Sequence, residues 1–521
     1  MPKRRSKSTP TNEPQTDGQR LLPPEDGATV RMYRTGHGDC FLLAFAGEPK
    51  PVYMLIDCGY KPGSPKFINT KIADITKNIR EATGGHLDVA VITHEHQDHV
   101  NGITEAHFKG ITIGETWLAW TEDPGDDLAN SLRKAFKDKL LGLLGARNRL
   151  AAAGNPEQLK RVDEFLEFEL GWDSESGSVP TAANLLAAAS DPDQSMNKKS
   201  MKLFKDRPGK PPKYIYPHKE ILTIPGAKNL RIFALGPPHD ADKIKDLNPQ
   251  GEESFRTVSL AATSPGNYFL AALDPDKFSL NLPFTNQYAI PLDKAGSKKT
   301  PREFRSFFTK HYGKSKRPVP QKAEVSDNPE WRRINEEWLY SAEQLALDIN
   351  DYTNNSSLVL AFELGRGGKV LLFAADAQRG NWVSWSEKDW KDGESTITAR
   401  DLLARTVLYK VGHHGSHNAT LDGRLDSEHA SLGWMAQGAS GHEFTAMITA
   451  VRAWAETQKG WDHPLKAIKD ALLKKASGRV FQTDTDFEKM ATPDGASKAD
   501  WEQFQSHASG HQLYFDYKIT T

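Results

Sequence analysis

The chain has only two cysteines, Cys40 and Cys58, in 521 residues, which excludes a disulfide scaffold and leaves both for a reduced core. It has no uninterrupted apolar stretch near the roughly 18 to 20 residues that cross a bilayer. Its first residues, MPKRRSKSTPTNEPQTDGQR, lack the apolar core of a secretory signal. A soluble protein of the cytoplasm, with no membrane contact, is the expectation. Excess charge is absent too: 67 Lys and Arg face 68 Asp and Glu, a formal charge of -1. An anionic partner must therefore be held by a local basic surface or a metal. What the chain has is length. At 38% hydrophobic and 26% charged residues it can bury a substantial core, with exposed helices and insertions enlarging a smaller central fold.

Residues 1 to about 28 carry Lys3, Arg4, Arg5 and Lys7 among Pro, Thr and Gln and are expected to form a disordered basic tail. ATVRMYRTGHGDCFLLAFAG and PVYMLIDCGY then predict an antiparallel strand pair. HLDVAVITHEHQDH is a buried strand running into a polar loop. From about 121 to 215 the pattern turns helical, with Leu128, Leu132, Phe136, Leu140 and Leu144 at helical spacing. A second helix begins at Asn155-Pro156 and ends at Gly171. LRIFALGPPHDAD returns to strand and loop. Residues 243 to about 352 form a second, less regular insertion that includes a helix through WRRINEEWLYSAEQLALDIN. SSLVLAFELGRGGKVLLFAADAQ predicts a hairpin, and RTVLYKVGHHGSHN a strand followed by a polar loop. A strand at FTAMITAV, a helix at PLKAIKDALLKKAS and strands at RVFQTDTD and QLYFDYKI complete the chain.

Thr93-His94-Glu95-His96-Gln97-Asp98-His99 places three imidazoles and the carboxylate of Asp98 straight after an apolar strand. In an extended loop His94 and His96 point the same way and can share one metal. Asp98 and His99, turning into a helix, reach a second. Imidazole with carboxylate suits zinc, with manganese or iron as alternatives. Asp376 ends the strand LLFAAD, where it can bridge two cations; alone, a strand-end Asp is as readily a turn or cap residue. His413 and His414 leave another strand between Gly412 and Gly415, where adjacent imidazoles can divide ligation from proton donation.

The motif His94-x-His96-x-Asp98-His99, followed by a strand-end Asp376 and a late strand-end His, resembles the metallo-β-lactamase fold superfamily of metallo-hydrolases. GHGDCFLL with LIDCG, LGPP, NNSSLVLAFELGRGGKVLLFAADA, KVGHHGSHN and a late DHP followed by FQTDTD are similar to the soluble hydrolase domain of ComEC-type DNA-uptake proteins, and more weakly to phosphorylcholine esterases. The resemblance covers roughly half the chain, in blocks separated by the two insertions, and lacks the ComEC membrane channel. It implies an α/β fold, a four-layer αββα sandwich of two mixed sheets, built by residues 29–521 as one hydrolase domain. It implies His94 and His96 on a first metal, Asp98 and His99 on a second, Asp376 bridging, and a ligand from His413-His414. His414 is preferred there, leaving His413 as proton donor. Asp57 matches an early Asp expected to brace the His94 loop, and Asp39 takes a structural place in the first hairpin. ComEC-type domains often carry a carboxylate where His96 stands. His239 is in the order of the superfamily's middle histidine, with a turn residue as the alternative, and His463 resembles a substrate-side histidine, with a helix-start histidine as the alternative.

Two divalent cations would lower the pKa of a bridging water and supply hydroxide near neutral pH. The expected activity is hydrolysis, with phosphodiester cleavage of nucleic acid leading and Asp98 and His413 in catalytic roles. The segment Lys298, Lys299, Arg302, Arg305, Lys310, Lys314, Lys316 and Arg317, interleaved with Phe304, Phe307, Phe308 and Tyr312, can pair with phosphates and stack bases. It also reads as a solvated loop. A second reading is a small-molecule phosphoester or ester hydrolase. A third is a component of a multiprotein defence or DNA-processing assembly, binding a partner through its insertions and through an exposed run NWVSWSEKDW with Trp382, Trp385 and Trp390, Trp385 reading equally as a core residue.

Overall fold

The structure, a computed structural model, describes residues 20–521 apart from 154–155, 172–193, 218, 256–298, 300, 313–340, 459–460, 491 and 494–496. The first apolar segments pair as an antiparallel meander of β1 (Gly27–Tyr33), β2 (Phe41–Phe45) and β3 (Val52–Ile56). The helix Ile72–Thr83 buries Ile75, Ile79 and Ala82, one stripe at helical spacing, and ends at Gly84 with φ 64°. It leads into β4 (His86–Ile92), which with β5 (Thr112–Ala119) and β6 (Lys213–Ile215) extends the sheet in parallel. A second sheet starts from the antiparallel strands β7 (Leu230–Gly236), β8 (Val359–Leu364) and β9 (Lys369–Phe373). A short hairpin of β10 (Asp389–Asp392) and β11 (Ser395–Thr398) precedes β12 (Thr406–Lys410). β13 (Thr445–Ile448) and β14 (Val480–Gln482) follow in parallel. Finally β15 (Ala508–Gly510) and β16 (Tyr514–Thr520) return to β1. The orders are β15-β16-β1-β2-β3-β4-β5-β6 and β14-β13-β12-β9-β8-β7.

Strand alternation divides the core. Val30, Met32, Leu43, Phe45 and Met54 of the first sheet share one cluster with Ile232, Phe362, Leu371, Phe373 and Met447 of the second. Phe41 meets Phe373 edge-on at 5.3 Å; burying such a side chain contributes about 1.5–3 kcal/mol. The intervening residues Leu42, Leu55 and Ala90 pack with Ile75 and Ile79. Phe233, Leu372 and Tyr409 pack with Trp382, Trp385 and Leu402. The protein is a mixed α/β fold with helices against its sheets. No helix among the described residues is long and apolar enough to cross a membrane, and Cys40 and Cys58 are both free and buried.

The insertions have their own core. Helices Asp127–Ala153 and Pro156–Leu170 of the first and Ser341–Asn355 of the second meet through Leu140, Leu144, Leu166, Leu345 and Ile349. Two sequence expectations are corrected. Leu21, assigned to the tail, is buried, its N–H donating to Ala82 O at 3.0 Å, and Gly27 and Ala28 already lie in β1. Trp382, Trp385 and Trp390 are core, not an exposed interface. Trp382 and Trp385 stand three apart on the helix Arg379–Trp385, which puts both on one face.

Candidate metal centre

The predicted residues gather where strands end. Asp57 follows β3, Thr93–His99 follow β4, Asp376 follows β9, His413 and His414 follow β12, and Thr449 follows β13. These are the carboxyl ends of parallel neighbours in two sheets, the edge at which α/β folds place their sites. Backbone strain is concentrated there. Asp57, Ala375, His413 and His414 have φ of 56°, 46°, 41° and 54°, each costing on the order of 1 kcal/mol or more. Gly59 lets the β3 exit touch the metal loop: a Cβ there would lie 2.3 Å from the Asp98 carbonyl carbon.

Hydrogen bonding decides which nitrogen of each ring is bare. Asp57 Oδ2 accepts from Thr93 Oγ1 at 2.6 Å and from His99 Nδ1 at 2.8 Å. Thr93 Oγ1, its proton spent on Asp57, accepts from His94 Nδ1 at 3.1 Å. His414 Nδ1 donates to the Thr449 carbonyl at 3.1 Å. His96 Nε2 faces the acceptor-only carboxylate of Glu169 at 3.1 Å. The four remaining nitrogens then meet one another or carboxylates. His94 Nε2 is 3.0 Å from His96 Nδ1, His99 Nε2 is 3.2 Å from Asp376 Oδ2, and His414 Nε2 is 3.1 Å from Asp98 Oδ2. Asp376 Oδ2 also lies 3.8 Å from His94 Nε2 and 3.7 Å from His414 Nε2. Lone pairs facing lone pairs repel unless a cation sits between them. Donors about 2.0–2.1 Å from a tetrahedral zinc stand roughly 3.3 Å apart, close to what these atoms show.

Two buried groups can thus hold metal: His94, His96 and Asp376, and a second around His99 and His414. Asp39 lies within reach of the second through the Nδ1 atoms, at 3.8 Å from His99 and 3.7 Å from His414. Those atoms are already engaged by Asp57 and Thr449. Asp39 itself pairs with Lys410 and accepts from Thr449 Oγ1 at 2.5 Å. The free Nε2 atoms point instead at Asp98 and Asp376, whose Oδ1 atoms are buried without hydrogen-bond partners.

Electrostatics favour added positive charge. Burial opposes an imidazolium at His99, but Asp376, Asp39 and Asp57 outweigh it and raise its pKa well above the ordinary value. Burial also opposes charge on Asp98 and Asp376. Lys61 and His414 for the first, and His99 and His414 for the second, hold both well below the usual carboxylate range. His94 is kept neutral by burial and by His99 and His96 beside it.

His239 is not brought to the cluster. Its Nε2 hydrogen-bonds with Asp126 Oδ2 at 2.9 Å and its half-exposed ring rests on Trp120, so the ligand expectation is corrected to a hydrogen-bonded pair away from the cluster. His463 does stand beside the cluster, its Nδ1 3.3 Å from His37 Nε2 and its ring 5.5 Å from that of His413. Of the basic segment, Arg302–Tyr312 is a helix with Phe304 and Phe307 exposed; Lys314, Lys316 and Arg317 lie outside the described residues.

Four participants escaped the sequence reading. Lys410 is a lysine inside the fully buried strand β12, an anomaly that could have flagged it. Glu169 is a carboxylate on a buried helix face shared with Val162 and Leu166. Asn354 donates to His413 Nε2 at 3.3 Å. Lys61 lies between the Phe168 and Trp461 rings, 3.8 Å from Asp98 Oδ2, and burial lowers its pKa to about 8 against the pull of Asp98.

Glu95, between the two first histidines, is held away by Lys198, which also meets Glu122 at 3.0 Å, as does Lys205. Burial raises the Glu122 pKa, but the two lysines overcome this and hold it well below its ordinary 4.5. The folded state therefore binds fewer protons at this group than the unfolded one. Its stabilisation is present above about pH 4.5 and is lost as the pH falls toward the folded value. Glu122→Gln is expected to cost about 1.5–3 kcal/mol at pH 7 and progressively less below pH 4.5. Urea unfolding at pH 7 and pH 3.5 checks this; an equal loss at both would refute it.

No family model matches this chain, and a search of curated proteins finds no similar one. The mixed α/β fold and the buried His/Asp groups are consistent with a metallo-hydrolase on geometry alone.

Proposed function

We propose that the protein is a hydrolase of the metallo-β-lactamase type, a four-layer αββα sandwich that uses two divalent cations, zinc foremost, to cleave phosphodiesters, nucleic acid being the favoured class. One cluster shared by the inner faces of both sheets, with helix-bearing clusters outside, supports the layering. The observation that carries the function is charge. Asp39, Asp57, Asp98, Asp376 and Glu169 are buried around the rings, and among the described residues Lys61 and Lys410 are the buried lysines. With the rings neutral, five carboxylates and two ammonium groups leave three negative charges; that excess is what raises the His99 pKa, and a desolvated pocket does not sustain it unpaired. Two divalent cations reverse it, leaving one positive charge for an incoming anion.

His94, His96 and Asp376 would hold one cation, and Asp98, His99, His414 and the same Asp376 the other. Bound there, the pair would supply hydroxide near neutral pH and stabilise charge on a phosphoryl oxygen. Burial pushes the His413 pKa down to about 3, so its ring is neutral at pH 7. Asn354 occupies its Nε2, and its buried Nδ1 has no hydrogen-bond partner. His413 is therefore a neutral ring at the site in place of an imidazolium acid, and its Nε2, 4.0 Å from Asp376 Oδ2, is the nitrogen that faces the cluster. Lys61 between two partly exposed rings offers a cation for phosphate with faces for stacking. A small phosphoester is the second reading, favoured by burial: Phe168 lies over the His96 ring at 4.7 Å.

A metal-supplemented panel of single- and double-stranded DNA, RNA and a chromogenic phosphodiester separates the two. Polynucleotide cleavage that falls by at least about 10³-fold in Asp98→Ala and His99→Ala is expected. Turnover of the small diester alone would select the second reading, and no turnover with both metals bound would sink both.

A further inference from the structure

We infer that Glu169, carried in by the first insertion, fixes His96 as a metal ligand, so that this inserted helix sets how tightly the first cation is held. The inference rests on the metal reading above. The Glu169 side chain is fully buried, and among the described residues its hydrogen-bond partner is His96 Nε2 at 3.1 Å. Its Oε2 is buried with no hydrogen-bond partner. A carboxylate can only accept, so His96 Nε2 carries the proton, and the bare Nδ1 is the atom 3.0 Å from His94 Nε2. In the other tautomer an N–H would point into the cation's place. Glu169 is thus a positioning residue, the outer member of a carboxylate–histidine–metal arrangement.

The helix end that presents it is anchored, not free-standing. Asn197 Nδ2 donates to the carbonyls of Phe168 and Glu169, both at 3.1 Å. Gly171, at φ 77°, turns the chain where a Cβ would strike Asn197 Oδ1 at 2.1 Å. Leu166 and Leu170 on the same helix pack with Leu345 and Ile349 of the second insertion. Both insertions therefore brace one imidazole of the first group.

The test is a zinc titration of the full chain against a competing chelator, with far-UV circular dichroism to confirm folding and ¹⁵N-edited NMR of the histidine rings to identify the tautomer. Glu169→Ala is expected to weaken one of two cations about 10–100-fold and leave the other unchanged. Glu169→Gln keeps an acceptor for Nε2–H and should recover most of that loss. In the zinc-loaded wild type His96 should carry its proton on Nε2. Unchanged affinity for both cations in Glu169→Ala would overturn the inference, and a wild-type His96 protonated on Nδ1 would overturn it even if no variant folds. A wild type that binds no metal would instead overturn the metal reading on which it rests.

Discussion

Asp376→Asn is expected to lower turnover by roughly four orders of magnitude, about 5 kcal/mol of transition-state stabilisation, and to reduce bound metal from two per chain toward one. Asp376 is the carboxylate whose Oδ2 reaches ring nitrogens of both groups, at 3.8 Å from His94 and at 3.2 and 3.7 Å from His99 and His414. An amide there presents one neutral oxygen. If the amide turns over, its N–H groups face bare nitrogens, a contact a cation cannot share. The substitution also removes a negative charge that the buried set needs to balance two dications. Elemental analysis after chelator-free purification, alongside the turnover assay, checks both effects. Two retained metals with more than about a tenth of wild-type turnover would contradict the bridging role. Asp39→Asn is the informative control. Because Asp39 is spent on Lys410 and Thr449, it should cost stability while both metals stay; loss of a metal would restore Asp39 as a ligand.

Much of the fold was legible because its strands are short apolar runs punctuated by Gly and Pro. β1 to β4, β7 to β9, β12 to β14 and β16 all fall on segments that show this pattern. β5, TIGETWLA, escaped because Thr112, Gly114 and Glu115 in its first half are exposed or half-buried; only Thr116 to Ala119 form a continuous buried run. The three-residue β6 is too short for any periodicity. Which strands join which sheet was beyond local pattern, because β16 pairs with β1 across the whole chain.

The site divides along the same line. His94 to His99 stood out because ligand chemistry is dense within six positions, and Asp376 and His414 because they follow apolar strands. Asn354, Glu169 and Lys61 have no such density. Each acts on a residue that only tertiary structure brings near: Glu169 reaches His96 from 73 positions away, and Asn354 reaches His413 from 59. His239 went the other way. A histidine after an apolar strand fits the ligand order, but Asp126 at the start of an inserted helix claims it.

Asn355→Ala should be the most destabilising single polar change outside the ligand set, costing about 3–5 kcal/mol in urea unfolding. The side chain is wholly buried and spends every hydrogen-bonding group it has. Nδ2 donates to the carbonyls of Lys243 and Ile244 at 2.9 Å and of Asp246 at 3.2 Å. Oδ1 accepts the N–H of Gln378 and of Asn381, both at 3.1 Å. Lys243 to Asp246 open the second insertion and Asn355 closes it, so one amide staples the two roots of an excursion of more than 100 residues. Closing a loop of that length carries a standing entropic cost that the staple offsets. The other two bonds fix the turn after Asp376, so the damage should reach the metal site as weaker zinc binding. Asn355→Asp separates clamp from volume. It keeps the acceptor for both N–H groups but sets a carboxylate oxygen against three carbonyls, and at pH 7 should unfold at least as readily as the alanine variant. An aspartate variant as stable as wild type would show that the three carbonyls do not depend on the amide, and that the roots of the insertion are held by other contacts.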